Sequence, residues 1–137
     1  MKTLNQLRDE IHENAKNKGF WNKPREDGTL LMLCVSELAE AMEADRKGRF
    51  AKVDRFEKKL KASRVISENI TIDGLTPEKS WTAKFEECIK DTFEDELADT
   101  IIRILDICGA RGIDIDKHIE LKMKYNATRE KLHGKKY

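Results

Sequence analysis

The sequence predicts an all-α protein: a four-helix core bundle completed by homo-oligomerisation, with an irregular insertion between helices two and three. Three observations carry that expectation. Pro occurs only twice and Gly seven times in 137 residues. Apolar residues recur mostly at the i, i+3, i+4 spacing of a helix. Helices two and three are apolar around most of their circumference, more than one short helix and one polar C-terminal helix can cover. A homodimer or a dimer of dimers is therefore expected.

The first helix is expected over about residues 3–18, with Leu4, Leu7, Ile11 and Ala15 on one face and Gly19 as its stop. A loop from Phe20 to Gly28 leads to a second helix from about Leu30 to Lys47, ending at Gly48. Residues 49–80 read differently. A basic amphipathic stretch from Phe50 to Arg64 precedes Val65-Ile66-Ser67 and Ile70-Thr71-Ile72-Asp73-Gly74, whose β-branched residues and turn signals predict a short hairpin or an irregular excursion. A third helix is expected from about Trp81 to Cys108, stopped by Gly109-Ala110-Arg111-Gly112. The fourth starts near Asp114 or Asp116, either of which suits an N-cap, and runs to about Leu132. The length fits one domain over residues 1–137.

Charged residues make up 39% of the chain, against roughly 25% in an average domain. Yet 27 basic and 26 acidic side chains nearly cancel, so no global field argues for nucleic acid or an anionic membrane. The local basic patch is Lys131, Lys135 and Lys136. The first twenty residues are polar and mixed in charge, without a signal-peptide core, and the longest apolar run, Leu30 to Val35, is too short to span a bilayer. Cys34, Cys88 and Cys108 are far apart and odd in number, and Cys34 and Cys108 sit in apolar stretches, which suits buried thiols. The expectation is a soluble, cytoplasmic protein.

Two acid pairs interrupt the two most apolar stretches. Glu37 and Glu40 lie in the second helix, Glu96 and Asp99 in the third, each pair at i, i+3 and so on one helix face. On the second helix Leu31, Val35, Leu38 and Met42 form one stripe, while Leu30, Leu33, Glu37, Glu40 and Ala44 form another, which puts both glutamates into a packing seam. On the third, the polar exceptions Glu96, Asp99, Arg103 and Asp106 share one sector. A single such pair is ordinarily a solvated face, and Asp99 with Arg103 is a natural i, i+4 ion pair. Two pairs on two apolar helices point instead to a cation or to raised pKa values, because an unpaired buried carboxylate costs several kcal/mol. All-oxygen ligands select Mg²⁺, or Mn²⁺ as a similar hard ion. A di-iron bundle would need two Glu-x-x-His motifs, and the chain has only Glu130-x-x-His133. Mg²⁺ held by carboxylates completes its shell with water and phosphate, which implies metal-assisted attack of water on a phosphate.

The pattern Glu37-x-x-Glu40 then Glu96-x-x-Asp99 is set in Ser36-Glu-Leu-Ala-Glu-Ala and Asp95-Glu-Leu-Ala-Asp-Thr-Ile-Ile-Arg. It resembles the MazG-like all-α nucleoside triphosphate pyrophosphohydrolases, whose signature is E-x-x-E followed by E-x-x-D. Lys122-Met-Lys-Tyr-Asn-Ala-Thr-Arg129 looks like the final helix of that group, and Asn14-Ala-Lys-Asn-Lys-Gly-Phe-Trp21 fits its start. The resemblance implies hydrolysis of a (d)NTP to (d)NMP and pyrophosphate by a subunit assembly. It also implies Mg²⁺ held by Glu37, Glu40, Glu96 and Asp99, with Glu40 or Glu37 orienting or deprotonating the attacking water. The chain departs from the pattern at Ser36, where many members carry a further Glu (Glu43 is a candidate substitute), and in the longer gap between the acid pairs.

Lys122, Asn126 and Arg129 fall on one face of the fourth helix, where Asn suits a sugar or base edge and the cations suit phosphate. Tyr125 is a candidate to stack on a base, and Trp21 to line a pocket mouth; ordinary packing is the competing role of both. Lys16 and Lys18 are weaker phosphate candidates, and His12, His118 and His133 share no ligand spacing. The alternative to an enzyme is a non-catalytic helical interaction module, or a nucleotide sensor, that keeps the fold. Intact acids at all four positions favour the enzyme.

Overall fold

The computed structural model describes residues 1–67 and 77–130, and among these the chain is all-α, with six helices and no strands. They are α1 (Leu4–Asn17), α2 (Asp27–Arg46), α3 (Val53–Ser67), α4 (Pro77–Cys88), α5 (Phe93–Arg111) and α6 (Ile115–Ala127). No helix among the described residues is long and apolar enough to cross a membrane. The chain divides into two compact units, one of Met1–Leu30 with the chain from Ile102 onward, the other of Leu31–Ile101.

In the first unit, α1 begins at a capping box in which Thr3 Oγ1 accepts from the Gln6 amide at 3.2 Å and Gln6 Oε1 accepts from the Thr3 amide at 2.9 Å. The start of α6 is tied to the same end. Asp116 accepts from the Leu4 and Asn5 amides at 3.2 and 3.1 Å, Asn5 Nδ2 donates to Asp114 at 2.8 Å, and Arg8 Nη1 donates to the Ile113 carbonyl at 2.6 Å. Asp114 also accepts from the Lys117 amide at 3.0 Å and is the N-cap of α6; Asp116, the other acid proposed for that start, serves α1 instead. Gly19 and Gly112, with φ of +82° and +63°, stop α1 and α5 in the left-handed turn expected of a helix end.

In the second unit, α3 packs on α4 through Phe56, Trp81 and Phe85; Trp81 stacks on Phe85 at 5.1 Å, and Phe56 meets both rings edge-on. Glu87 joins the pair by accepting from Arg55 at 2.7 Å and by bonding Lys59. The region expected to be irregular therefore holds a 15-residue helix, and Val65-Ile66-Ser67 finish that helix. Ile70 to Gly74, the core of the expected hairpin, lie outside the described residues. The third predicted helix is broken in two. After Cys88 the chain turns through Asp91 at φ 57°, Thr92 Oγ1 donates to the Ile89 carbonyl at 2.6 Å, and the Phe93 amide reaches the Arg49 carbonyl at 3.0 Å. Neither Gly nor Pro marks the break, because Asp tolerates the left-handed conformation and supplies it alone. At the other end, α6 stops at Ala127, short of the expected Leu132.

Burial on α2 follows one line: Leu30, Cys34, Glu37, Ala41 and Ala44 are buried at helical spacing. The neighbouring stripe of Leu31, Val35, Leu38 and Met42 stays 48–57% exposed. Cys34 and Cys108 are buried thiols, as the sequence suggested, and Cys88 is buried as well.

Candidate metal centre

The second unit brings three of the four motif acids together. One carboxylate oxygen each from Glu37, Glu96 and Asp99 lies within 4.8 Å of the other two. Glu37 is 7% exposed and Glu96 5%, while Asp99 faces solvent. Glu37 lies on the buried line of α2, between Cys34 and Ala41. Glu96 is set in the first turn of α5 by the preceding turn, since its amide donates to the Thr92 carbonyl at 3.0 Å. Asp99 follows one helical turn later, on the same face.

Burial raises the Glu96 carboxyl to a pKa of about 7, helped by the negative charge of Glu40 and by a side-chain hydrogen bond with Glu37. Asp95 is also raised, first by burial, against a hydrogen bond from the Asp91 amide at 3.0 Å. Oxygens bound to one Mg²⁺ lie about 3 to 4 Å apart, so side-chain shifts on the order of 1 Å would close this group on an ion. The donors are hard carboxylate oxygens, two of them buried and one open to solvent, and they fit Mg²⁺ or Mn²⁺.

Glu40 does not join the three. It is exposed and accepts a long hydrogen bond from Ser36 Oγ at 3.4 Å, although its charge is felt at Glu96. Glu43 pairs with Lys47 at 2.9 Å, which holds its carboxyl below the usual range.

The proposed substrate residues lie in the first unit. Lys122, Tyr125, Asn126 and Arg129 are all exposed. Lys122 Nζ sits 5.0 Å and the Arg129 guanidinium 5.8 Å from the centre of the Tyr125 ring, so three of these residues form one cation–aromatic group. Arg129 lies beyond the end of α6, with its amide on the Asn126 carbonyl at 3.2 Å. Lys16 pairs with Glu13 at 2.6 Å and Lys18 is exposed.

Trp21 lines a cavity of about 420 Å³ with Leu30, Ile107, Lys23, Arg25 and Arg111. Sequence reasoning missed what stands behind it. Asp106 accepts from Trp21 Nε1 at 3.0 and 3.2 Å and lies 2.7 Å from His12 Nδ1. The only signal was Asp106 itself, an acid on a helix apolar nearly all round.

Compared with known protein families, curated proteins and solved structures, the chain matches none.

Proposed function

We propose that the chain is a Mg²⁺-dependent nucleotide pyrophosphohydrolase that splits a (d)NTP into (d)NMP and pyrophosphate. The observation that carries this reading is the convergence of Glu37, Glu96 and Asp99, two of them buried, in a group of carboxylate oxygens that suits a hard cation. The sequence resemblance supplies the reaction. Bound there, Mg²⁺ would neutralise phosphate charge and make a coordinated water more acidic. Glu37, Glu96 and Asp99 would hold the ion. Glu40, exposed and close enough for its charge to act on Glu96, is the candidate to orient the attacking water or take its proton. By the resemblance, Lys122, Arg129, Asn126, Tyr125 and Trp21 of the first unit are the candidates for nucleotide binding.

A homo-oligomer belongs to the same reading. The α2 stripe of Leu31, Val35, Leu38 and Met42 leaves four large apolar side chains about half exposed along one helix, a face that a second copy of the chain would cover.

The test is release of NMP and pyrophosphate from a panel of standard and modified (d)NTPs, with and without Mg²⁺, beside Glu96→Gln. Metal-dependent NMP production that the variant loses is the expected result. No turnover across the panel by folded protein would leave a nucleotide sensor or an interaction module.

A further inference from the structure

Three groups from separate segments of the first unit meet at Asp106. His12 comes from α1, Trp21 from the loop after it, and Asp106 from α5. The carboxylate binds both rings by their nitrogen edges, at 2.7 Å to His12 Nδ1 and 3.0 Å to Trp21 Nε1. The two rings also brace each other, edge to face, with centres 5.2 Å apart and planes at 71°. His12 and Asp106 side chains are only 19% and 15% exposed. Gly109, one turn beyond Asp106, makes room: a Cβ there would stand 2.5 Å from His12 Cβ. A tryptophan on a loop would otherwise sample several rotamers. Here its polar edge is pinned and its face is braced.

The pinned ring is a wall of the 420 Å³ cavity. Arg25 lies 5.9 Å over the ring, and Lys23 and Arg111 add positive charge to the lining against the single acid Asp27, which pairs with Arg111. Such a cavity suits a planar ligand that carries negative charge.

We propose that Asp106 is a positioning residue: by fixing Trp21 against His12 it gives this cavity a rigid aromatic wall for a planar, anionic ligand. For the identity of that ligand the inference rests on the nucleotide reading above. Asp106 touches no ligand itself. Its effect is preorganisation, so it acts on binding and leaves the chemical step alone.

The experiment uses the full chain labelled with ¹⁵N-tryptophan, whose two indole N–H signals are assigned with Trp21→Phe. Asp106→Leu is compared with Asp106→Asn, whose amide can still accept from the indole and face the histidine. Exchange of the Trp21 indole proton with water should be slow in the wild type and in Asp106→Asn and fast in Asp106→Leu. On the best nucleotide of the panel, KM for Asp106→Leu should rise about tenfold with kcat within about twofold, and Asp106→Asn should restore both. An unmoved Trp81 signal and unchanged far-ultraviolet circular dichroism show that the fold is kept. Unchanged indole exchange in Asp106→Leu overturns the proposal, and so does fast exchange with an unaltered KM. A wild-type protein that turns over no nucleotide removes the nucleotide reading alone, and the exchange comparison then decides whether Asp106 fixes the wall.

Discussion

Glu96 shares a side-chain hydrogen bond with Glu37, and two buried acids can do that only while one of them carries a proton. Burial first, then the charges of Glu40 and Glu37, keep that proton on Glu96 up to about pH 7. A proton held so far above the usual carboxylate range marks a place where the fold has gathered negative charge at a cost to itself.

The cost has a sign that can be measured without metal. Between the ordinary glutamate pKa and about 7, the folded protein binds a proton at Glu96 that the unfolded chain has already released. Stability should therefore fall as pH rises through that window and level off above it. The whole loss is roughly 1 to 3 kcal/mol. Urea unfolding in EDTA from about pH 5 to 8 reads it out. Glu96→Gln should flatten the profile and be the more stable protein at the upper end. Adding Mg²⁺ there should recover stability in the wild type and not in the variant. A wild-type profile that stays flat in EDTA would refute the charge crowding.

The acids should also separate by role. Glu37→Gln, Glu96→Gln and Asp99→Asn each remove one converging oxygen and should weaken Mn²⁺ binding, followed by paramagnetic resonance, about 10- to 100-fold. Glu40 stands outside the converging oxygens. Glu40→Gln should keep Mn²⁺ affinity within about threefold while turnover drops about 100-fold or more. Equal loss of Mn²⁺ in all four variants would make Glu40 a ligand.

Helix identity was legible wherever apolar spacing and a glycine stop agreed, as at α1 with Gly19 and α2 with Gly48. The break at Asp91 was not, because a single aspartate adopted a conformation that sequence reading reserves for glycine. The helix over Val53–Ser67 was masked by its β-branched end, Val65 and Ile66, whose strand preference is weak beside the packing of Phe56 on Trp81 and Phe85. In the candidate site, spacing revealed which acids share a face. It could not divide them, since Glu37 and Glu40 share one helix face and only tertiary burial tells the inner one from the outer. Asp106 was visible only as an exception, for its partners His12 and Trp21 are about 90 residues away in sequence.

The N-terminal end of α1 depends on Asp116, at the start of α6, which accepts from the amides of Leu4 and Asn5. Those amides begin α1 and have no partner within the helix. Asp116→Ala should lower unfolding stability by about 1 to 2 kcal/mol. Hydrogen exchange should quicken at the first turn of α1 and leave α3 and α4, in the other unit, unchanged. Protection lost evenly along the chain would mean that Asp116 serves the whole fold.

Leu31, Val35, Leu38 and Met42 present a line of large side chains about half in water. Full burial of such a side chain stabilises by about 1.5–3 kcal/mol, so four on each of two copies could support a dimer if the contact reaches the usual size of about 800 Å² per partner. Val35→Glu and Leu38→Glu place a charge in the middle of that line and should shift the protein to monomer in sedimentation. Exposed glutamates suit a helix surface, so the helix content of the monomer should be kept. Mg²⁺-dependent turnover measured on that monomer would then tell whether the acid centre of one chain suffices. A wild-type protein that already sediments as a compact monomer at micromolar concentration would leave the stripe as bare surface and remove the second copy from the proposed assembly.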